Sequence, residues 1–217
     1  MNSDPRIADL PSTIHLMPIE GFILLPETTL PLTIVDAQSR ELLDAADAES
    51  GYVGLVQGRE DDAGSRFFEV GCLARIQSLD RDAEGHHVTL DGVIRFRLRE
   101  ELPPEGNGFS RAAVAYEEFA HDLDRVEEDL PGWNLEAFKD KLVEFGRTRF
   151  GTAGILETMT PRQVVRFMAQ TTPFTPAERQ ALLESRGFRE MLETLVKLLA
   201  LNFLTTTPDT SAPEQAN

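Results

Sequence analysis

The sequence predicts an α+β fold in which a β-rich N-terminal half leads into a C-terminal helical bundle. Three observations carry this expectation. From Thr13 to about Phe119, β-branched and apolar residues recur mostly with period two. After about Leu135 the apolar spacing lengthens to three and four. Two late Thr-Pro pairs, at Thr160 and Thr175, carry the chemistry of helix starts. Strands first and helices second imply segregated layers or two subdomains.

Residues 1–12 form a short polar lead that is expected to be flexible. The β-rich subdomain is expected over 13–119, beginning with Ile14, Leu16 and Ile19. An apolar stretch from Met17 to Val35 is punctuated by Pro18, Pro26 and Pro31. Proline donates no ladder hydrogen bond, so these residues belong at edges or strand starts. Leu30, Leu32 and Ile34 share one strand face, and Asp36 then caps an inserted helix running to about Ala48, with Leu42, Leu43 and Ala46 on one side. Further strands are expected at Tyr52–Gln57, Cys72–Leu79 and His87–Asp91, the last two joined by the turn-rich Asp80–Gly85. From Ile94 to Glu100 the pattern places Ile94, Phe96 and Leu98 inward and Arg95, Arg97 and Arg99 outward. Pro103–Gly108 reads as a loop and Ala112–Tyr116 as a closing strand.

Residues 120–134 read as an acidic linker, because His121–Asp129 is rich in aspartate and glutamate. The helical subdomain is expected over 135–204, as three or four helices. Phe138, Leu142 and Phe145 stripe the first. At Thr160-Pro-Arg-Gln163 and Thr175-Pro-Ala-Glu178 the threonine accepts a backbone N–H, proline occupies the first turn, and Gln163 or Glu178 reaches back. Gly187 is expected to end one helix, and Phe188, Met191, Leu192, Leu195, Leu198 and Leu199 stripe the last. The Thr, Pro and Ser-rich residues 205–217 form an expected disordered tail.

The 217-residue chain carries a formal net charge of −16. Such a field repels phosphate backbones and anionic lipid surfaces, which argues against DNA, RNA and membrane partners. Cys72 is the single cysteine, so no internal disulfide and no multi-cysteine zinc site can form. The acidic N-terminus does not read as a secretory signal, and the apolar segment Met191–Leu204 is interrupted by Glu193, Lys197 and Asn202. A cytoplasmic location is the expectation.

No catalytic constellation emerges. His15, His86, His87 and His121 are scattered, and His86 and His87 point to opposite faces of one strand, which suits no metal. Asp122 and Asp124 beside His121 lack the spacing of a calcium loop. Cys72, between apolar neighbours, reads as a buried small hydrophobe. The lysines are Lys139, Lys141 and Lys197, none after a glycine-rich phosphate loop and none with a serine in a nucleophile setting. Neither a cofactor nor a metal is expected.

The order of blocks resembles the N-terminal substrate-binding domain of ATP-dependent Lon proteases. The matching residues are Leu25-Pro26, Leu30-Pro31-Leu32 and Arg40-Glu41-Leu42, then Gly54-Leu55-Val56, Val70-Gly71 and Gly92-Val-Ile-Arg95-Phe96. Gln180–Glu184 and the leucine-rich last helix continue it, so the resemblance runs from about Thr13 to Leu204. It implies a PUA-like β pseudo-barrel with one inserted helix, followed by a helical bundle. It also implies a free-standing, non-enzymatic domain, since neither the ATPase nor the protease segment is present. Its ligand would be an unfolded or extended polypeptide, or a partner protein. Glu27 stands where the family commonly has glycine, an aromatic is missing near Val35, and Gln38-Ser39 replaces an arginine–aromatic pair.

For peptide or partner binding the candidates are Phe22, Leu24, Leu25, Pro26, Pro31, Arg40 and Tyr52, the apolar and donor groups near the proline-rich edge. There an extended peptide could add as a strand. A competing reading is a small-molecule site or enzyme pocket between barrel and bundle, with Arg40, Arg95, His15 and nearby acids as its polar groups. A third is RNA binding through the face of Arg95, Arg97 and Arg99, since PUA-like folds include RNA binders.

Overall fold

The computed structural model describes residues 5–59, 66–105, 109–124, 130–151 and 153–205. Six strands form one sheet: β1 (Thr13–Pro18), β2 (Thr29–Ile34), β3 (Tyr52–Val56), β4 (Val70–Arg81), β5 (His86–Glu105) and β6 (Phe109–Ala115). Helix α1 (Ala37–Glu49) lies between β2 and β3. Strand order is β2-β5-β4-β3-β1-β6, and β6 also pairs with β5. The ladder therefore closes through β5, β4, β3, β1 and β6, leaving β2 outside the ring on the first part of β5. Among the described residues, only β1 and β3 pair in parallel, the intervening β2 and α1 forming their crossover. The result is an α+β fold with an irregular pseudo-barrel, not a clean one.

The ring closes tightly because two of its strands carry glycine where the Phe96 ring needs room. A Cβ on Gly71 would lie 2.5 Å from Phe96 Cζ, and one on Gly54 would lie 3.1 Å from its Cε1. Phe96, Leu16, Leu55, Leu73 and Ile94 are all almost fully buried. Residues expected as separate strands at 87–91 and 94–100 belong to one 20-residue strand, β5. It also continues through Pro103, where a loop was expected. Register shifts against β4 and β6 bend it, so one strand serves both β2 and the ring.

After β6 come a 3-10 turn over Glu117–Asp122 and helices α2 (Leu135–Phe150), α3 (Ala153–Thr158), α4 (Pro161–Thr171), α5 (Pro176–Leu183) and α6 (Phe188–Thr205). Local chemistry sets the starts. Asp36 accepts from Ser39 N at 2.7 Å and Asn134 from Ala137 N at 3.0 Å. Both expected capping boxes form: Gln163 Oε1 lies 2.8 Å from Thr160 N, and Glu178 Oε2 lies 2.8 Å from Thr175 N. Helix α5 stops at Leu183, ahead of Gly187. Among the described residues, no helix is long and apolar enough to cross a membrane.

Polar side chains tie barrel to helices. Gln180 of α5 donates to Val70 O at 3.1 Å and accepts from Gln57 at 2.9 Å. Gln170, in the last turn of α4, accepts from Leu25 N at 3.1 Å, and the Thr28 hydroxyl donates to the same oxygen.

Candidate functional site

Between barrel and helices lies a cleft of about 790 Å³. Its walls are the turn at Leu25–Glu27, Arg95 of β5, the His121–Asp124 segment, the α4 face bearing Arg162, Gln163 and Arg166, and the start of α6 from Arg186 to Met191.

The Leu25–Glu27 wall is placed by close backbone approach. Glu27 N donates to Gly92 O at 3.0 Å and Gly92 N to Thr28 O at 2.8 Å. A Cβ on Gly92 would sit 2.1 Å from Leu25 O, so no other residue fits without moving this wall. Glu27 itself adopts φ 60°, a left-handed conformation costing a side-chain-bearing residue about 1 kcal/mol or more. Its carboxylate meets Arg166 at 2.7 Å.

Arg95 is the charged centre of the junction. It points away from the barrel interior, as alternation requires, but the helices cover that side and leave the residue 5% exposed. Arg95 thus stands outside the barrel as expected, but the expected exposed Arg face is corrected, since this position is covered. All five guanidinium donors are used: Nε and NH2 clamp Asp122 at 2.8 and 2.7 Å, NH1 reaches Leu183 O at 3.0 Å and Ser185 O, and NH2 meets His121 Nε2 at 3.0 Å. Arginine only donates, so His121 Nε2 is the acceptor in this contact. The guanidinium also stacks over Phe119, 4.6 Å from its centroid. Asp122, expected in an exposed acidic linker, has a side chain only 7% exposed because it answers this buried cation. Arg97 lies between Glu69 at 2.9 Å and Glu118 at 2.6 Å, and its hydrogen bond holds the Glu118 carboxyl below its ordinary range. Arg99 is exposed. The stripe is therefore divided among three environments and forms no continuous cationic face.

Of the peptide-binding candidates, Leu25 and Pro26 line the cleft. Leu24 is buried in the core and Phe22 packs half-buried against it. Pro31 is exposed on β2, beside a shallow groove of about 220 Å³ over β2, β4 and β5. Thr28 O accepts from Gly92 N, so even-numbered backbone groups of β2 face β5 and odd-numbered ones face outward. Pro31 therefore removes a donor from the outer edge and blunts it against strand addition. Arg40 on α1 and Tyr52 on β3 are half-buried, and neither lines the cleft. His15 pairs with Glu49 of α1 at 2.9 Å, holding that helix against β1. Among the described residues, no group of three or more His, Cys, Asp or Glu is placed to hold a metal ion.

Sequence reasoning did not find the helical side of the cleft. Phe188 and Met191 read there as core stripe. Arg162 and Arg166 could have been noticed, since a spacing of four puts both on one helix face. Both stack over the Phe188 ring, at 4.4 and 5.6 Å. The cleft combines apolar floor, stacked guanidiniums and a few carboxylates, with its imidazole and Asp122 already committed to Arg95.

Comparison with known proteins agrees with the fold. The family model of the ATP-dependent protease La (LON) substrate-binding domain matches residues 13–200. The chain is 24% identical over 198 residues to a protein named Lon protease 2 from Myxococcus xanthus, covering 88% of this chain and 24% of that one. It is 30% identical over 118 residues to a Lon protease of Treponema pallidum, covering 52% of this chain and 13% of that one. The N-terminal domain of Mycobacterium avium complex Lon protease superposes with a TM-score of 0.61 at 19% identity, over 87% of this chain and 98% of that domain. A Lon N-terminal domain protein from Xanthomonas campestris gives 0.58 at 20% identity, over 88% and 98%. The fold thus defines a Lon N-terminal-type domain. The chain belongs to the LON substrate-binding domain family. It spans about a quarter of the length of the curated relatives it matches.

Proposed function

We propose that this protein is a non-enzymatic binding module that takes an extended polypeptide segment, from an unfolded chain or a partner protein, into the barrel–helix cleft. The observation that carries the reading is the cleft's composition: Leu25, Pro26, Phe188 and Met191 line it with apolar groups, and Gln163, Arg166 and Arg186 line it with polar ones. An extended peptide needs both, because its backbone carbonyls stay polar while its side chains seek apolar cover. Family membership supports the polypeptide class, and the matched region is the substrate-binding part of that family.

The test is photo-crosslinking of a neutral, end-blocked decapeptide bearing benzoylphenylalanine, mapped by mass spectrometry. Crosslinks should fall on Pro26–Glu27, Gln163 and Arg186–Met191. Crosslinks confined to β2 and the Pro31 groove would remove the cleft as the site. The volume also lies within the range of small-molecule pockets, roughly 300–1,000 Å³. A metabolite that blocks every crosslink at stoichiometric occupancy would favour that second reading.

A further inference from the structure

Among the described residues two arginines are buried, and one of them is unanswered. Arg95, 5% exposed, engages its five donors with Asp122, two carbonyls and His121. Arg179 of α5 is 8% exposed and has nothing comparable. Its Nε is sealed from solvent without a hydrogen-bond partner, and its guanidinium forms no hydrogen bond or ion pair among the described residues. NH1 and NH2 are not among the sealed atoms, so the end of the fork stays within reach. The neighbouring Glu178 does not supply the missing partner. Its Oε2 is engaged in the capping box, accepting from Thr175 N and Thr175 Oγ1 at 2.8 Å each. Burial lowers the Arg179 pKa, and the Glu178 charge opposes that shift without cancelling it. Arg179 also stands near the start of α5, by the positive end of the helix dipole, where a cation is disfavoured. A charge withdrawn from water without a partner is among the costliest groups a fold can bury.

We infer that Arg179 is a socket for a carboxylate carried by another polypeptide, an aspartate or glutamate side chain that docks end-on against its two terminal nitrogens. The inference does not rest on the cleft, whose lining does not include Arg179. Asp122 shows the form of the answer, since it completes the other buried arginine through a two-point contact. A planar carboxylate matches the planar fork with two parallel hydrogen bonds. A monoanion balances one cation, whereas a phosphate group would leave surplus negative charge in a chain whose net charge is −16. The small exposed remainder of Arg179 admits one compact group and not the body of a larger ligand. A docking chain also covers the opening behind its carboxylate, which excludes water and strengthens the pair.

The test has two arms, both on the full chain. In the first, thermal unfolding is read in sodium formate and in sodium chloride at equal concentration, about 0.3 M. Formate, the smallest carboxylate, should raise the wild-type Tm by about 3 °C over chloride. Arg179→Met should show no such gain, and Arg179→Lys, which keeps the charge but loses the fork, less than half of it. In chloride Arg179→Met should melt above wild type, because no unanswered charge stays buried; Arg179→Gln takes its place if the methionine variant does not fold. A lower Tm for both neutral variants in chloride, or an equal formate gain in wild type and variant, overturns the inference. The second arm measures anisotropy of two dye-labelled, end-blocked decapeptides of alanine and leucine that differ only in a central glutamate or glutamine. At about 0.15 M salt, where screening acts over about 8 Å, the glutamate probe should bind wild type about fivefold more tightly. Arg179→Met should bind the two probes alike. A preference that survives in Arg179→Met lies elsewhere on the chain and overturns the inference. Formate protection without any glutamate preference marks a small-anion site only and overturns the assignment to a polypeptide, while the cleft reading stands.

Discussion

Replacing Arg95 by methionine is expected to loosen the junction between barrel and helices more than any change in the cleft itself. Methionine keeps the length of the side chain and part of its contact with Phe119, but none of its five donors. Asp122 would keep one hydrogen bond, from Arg95 N at 3.0 Å, and lose two. A carboxylate left buried without its cation costs about 3 kcal/mol or more, and the stripped carbonyls of Leu183 and Ser185 about 1 kcal/mol each. The expected loss is therefore about 5 kcal/mol, or a fall in Tm of about 10–20 °C for a chain of this size. Urea titration followed by far-UV circular dichroism and by Trp133 fluorescence measures it, since Trp133 is the single tryptophan and packs edge-on against Phe138 of α2. In the variant the fluorescence transition should precede the dichroism transition, because the helices lose their anchor first. Arg95→Lys, with three donors and no fork, should fall between. The double variant Arg95→Met with Asp122→Leu should recover at least half the loss, since no charge is then stranded. A loss below about 1 kcal/mol in Arg95→Met, or strictly additive effects in the double variant, would refute the assignment of Arg95 as the junction's centre.

Three further outcomes are expected. Gly92→Ala should displace the Leu25–Glu27 wall, because the new Cβ would meet Leu25 O at 2.1 Å; peptide crosslinks to Pro26 and Glu27 should fall even where the urea midpoint shows a fold retained. Cys72 should react with a thiol reagent only at the rate of unfolding, because burial, reinforced by the Asp122 charge, raises its pKa well above the ordinary thiol value; stoichiometric labelling of the native protein within minutes would contradict this. At Asp44, burial favours the neutral acid, but hydrogen bonds from His86 and Arg81 prevail and hold its pKa below the ordinary value. That stabilisation is fully present above the unfolded pKa of about 3.9 and lost as pH falls through the lower folded value. Urea midpoints at neutral pH and near pH 3 should therefore converge between wild type and Asp44→Asn on acidification, the neutral-pH difference staying under about 1 kcal/mol because the pair is half-exposed.

The fold was legible where local chemistry decides it. Alternation of Ile94, Phe96 and Leu98, the Asp36 cap and the two Thr-Pro capping boxes each act within a few residues of themselves. The burial of Arg95 is different in kind. Alternation placed it outside the barrel correctly, but whether that outside is solvent depends on helices nearly 90 residues later in the chain. Asp122 looked like linker for the same reason, since its acidity is answered only across 27 residues. Within the proline-rich segment, Leu24 and Leu25 are both core residues, Leu25 also reaching the cleft, while Phe22 packs half-buried against them. No sequence period separates core from cleft here, because the run from Phe22 to Leu25 lies outside the strands of the sheet.

Gln170 gives the cleft its mechanics. Because one amide oxygen holds both Leu25 N and the Thr28 hydroxyl, and Arg166 grips Glu27, the turn and α4 form a single jaw. The same turn is also pinned to β5, where Glu27 N donates to Gly92 O and Gly92 N to Thr28 O. The wall at Leu25–Glu27 is thus held from two sides and cannot shift without giving up hydrogen bonds to α4 or to β5, so the width of the cleft is set by the fold before anything enters it.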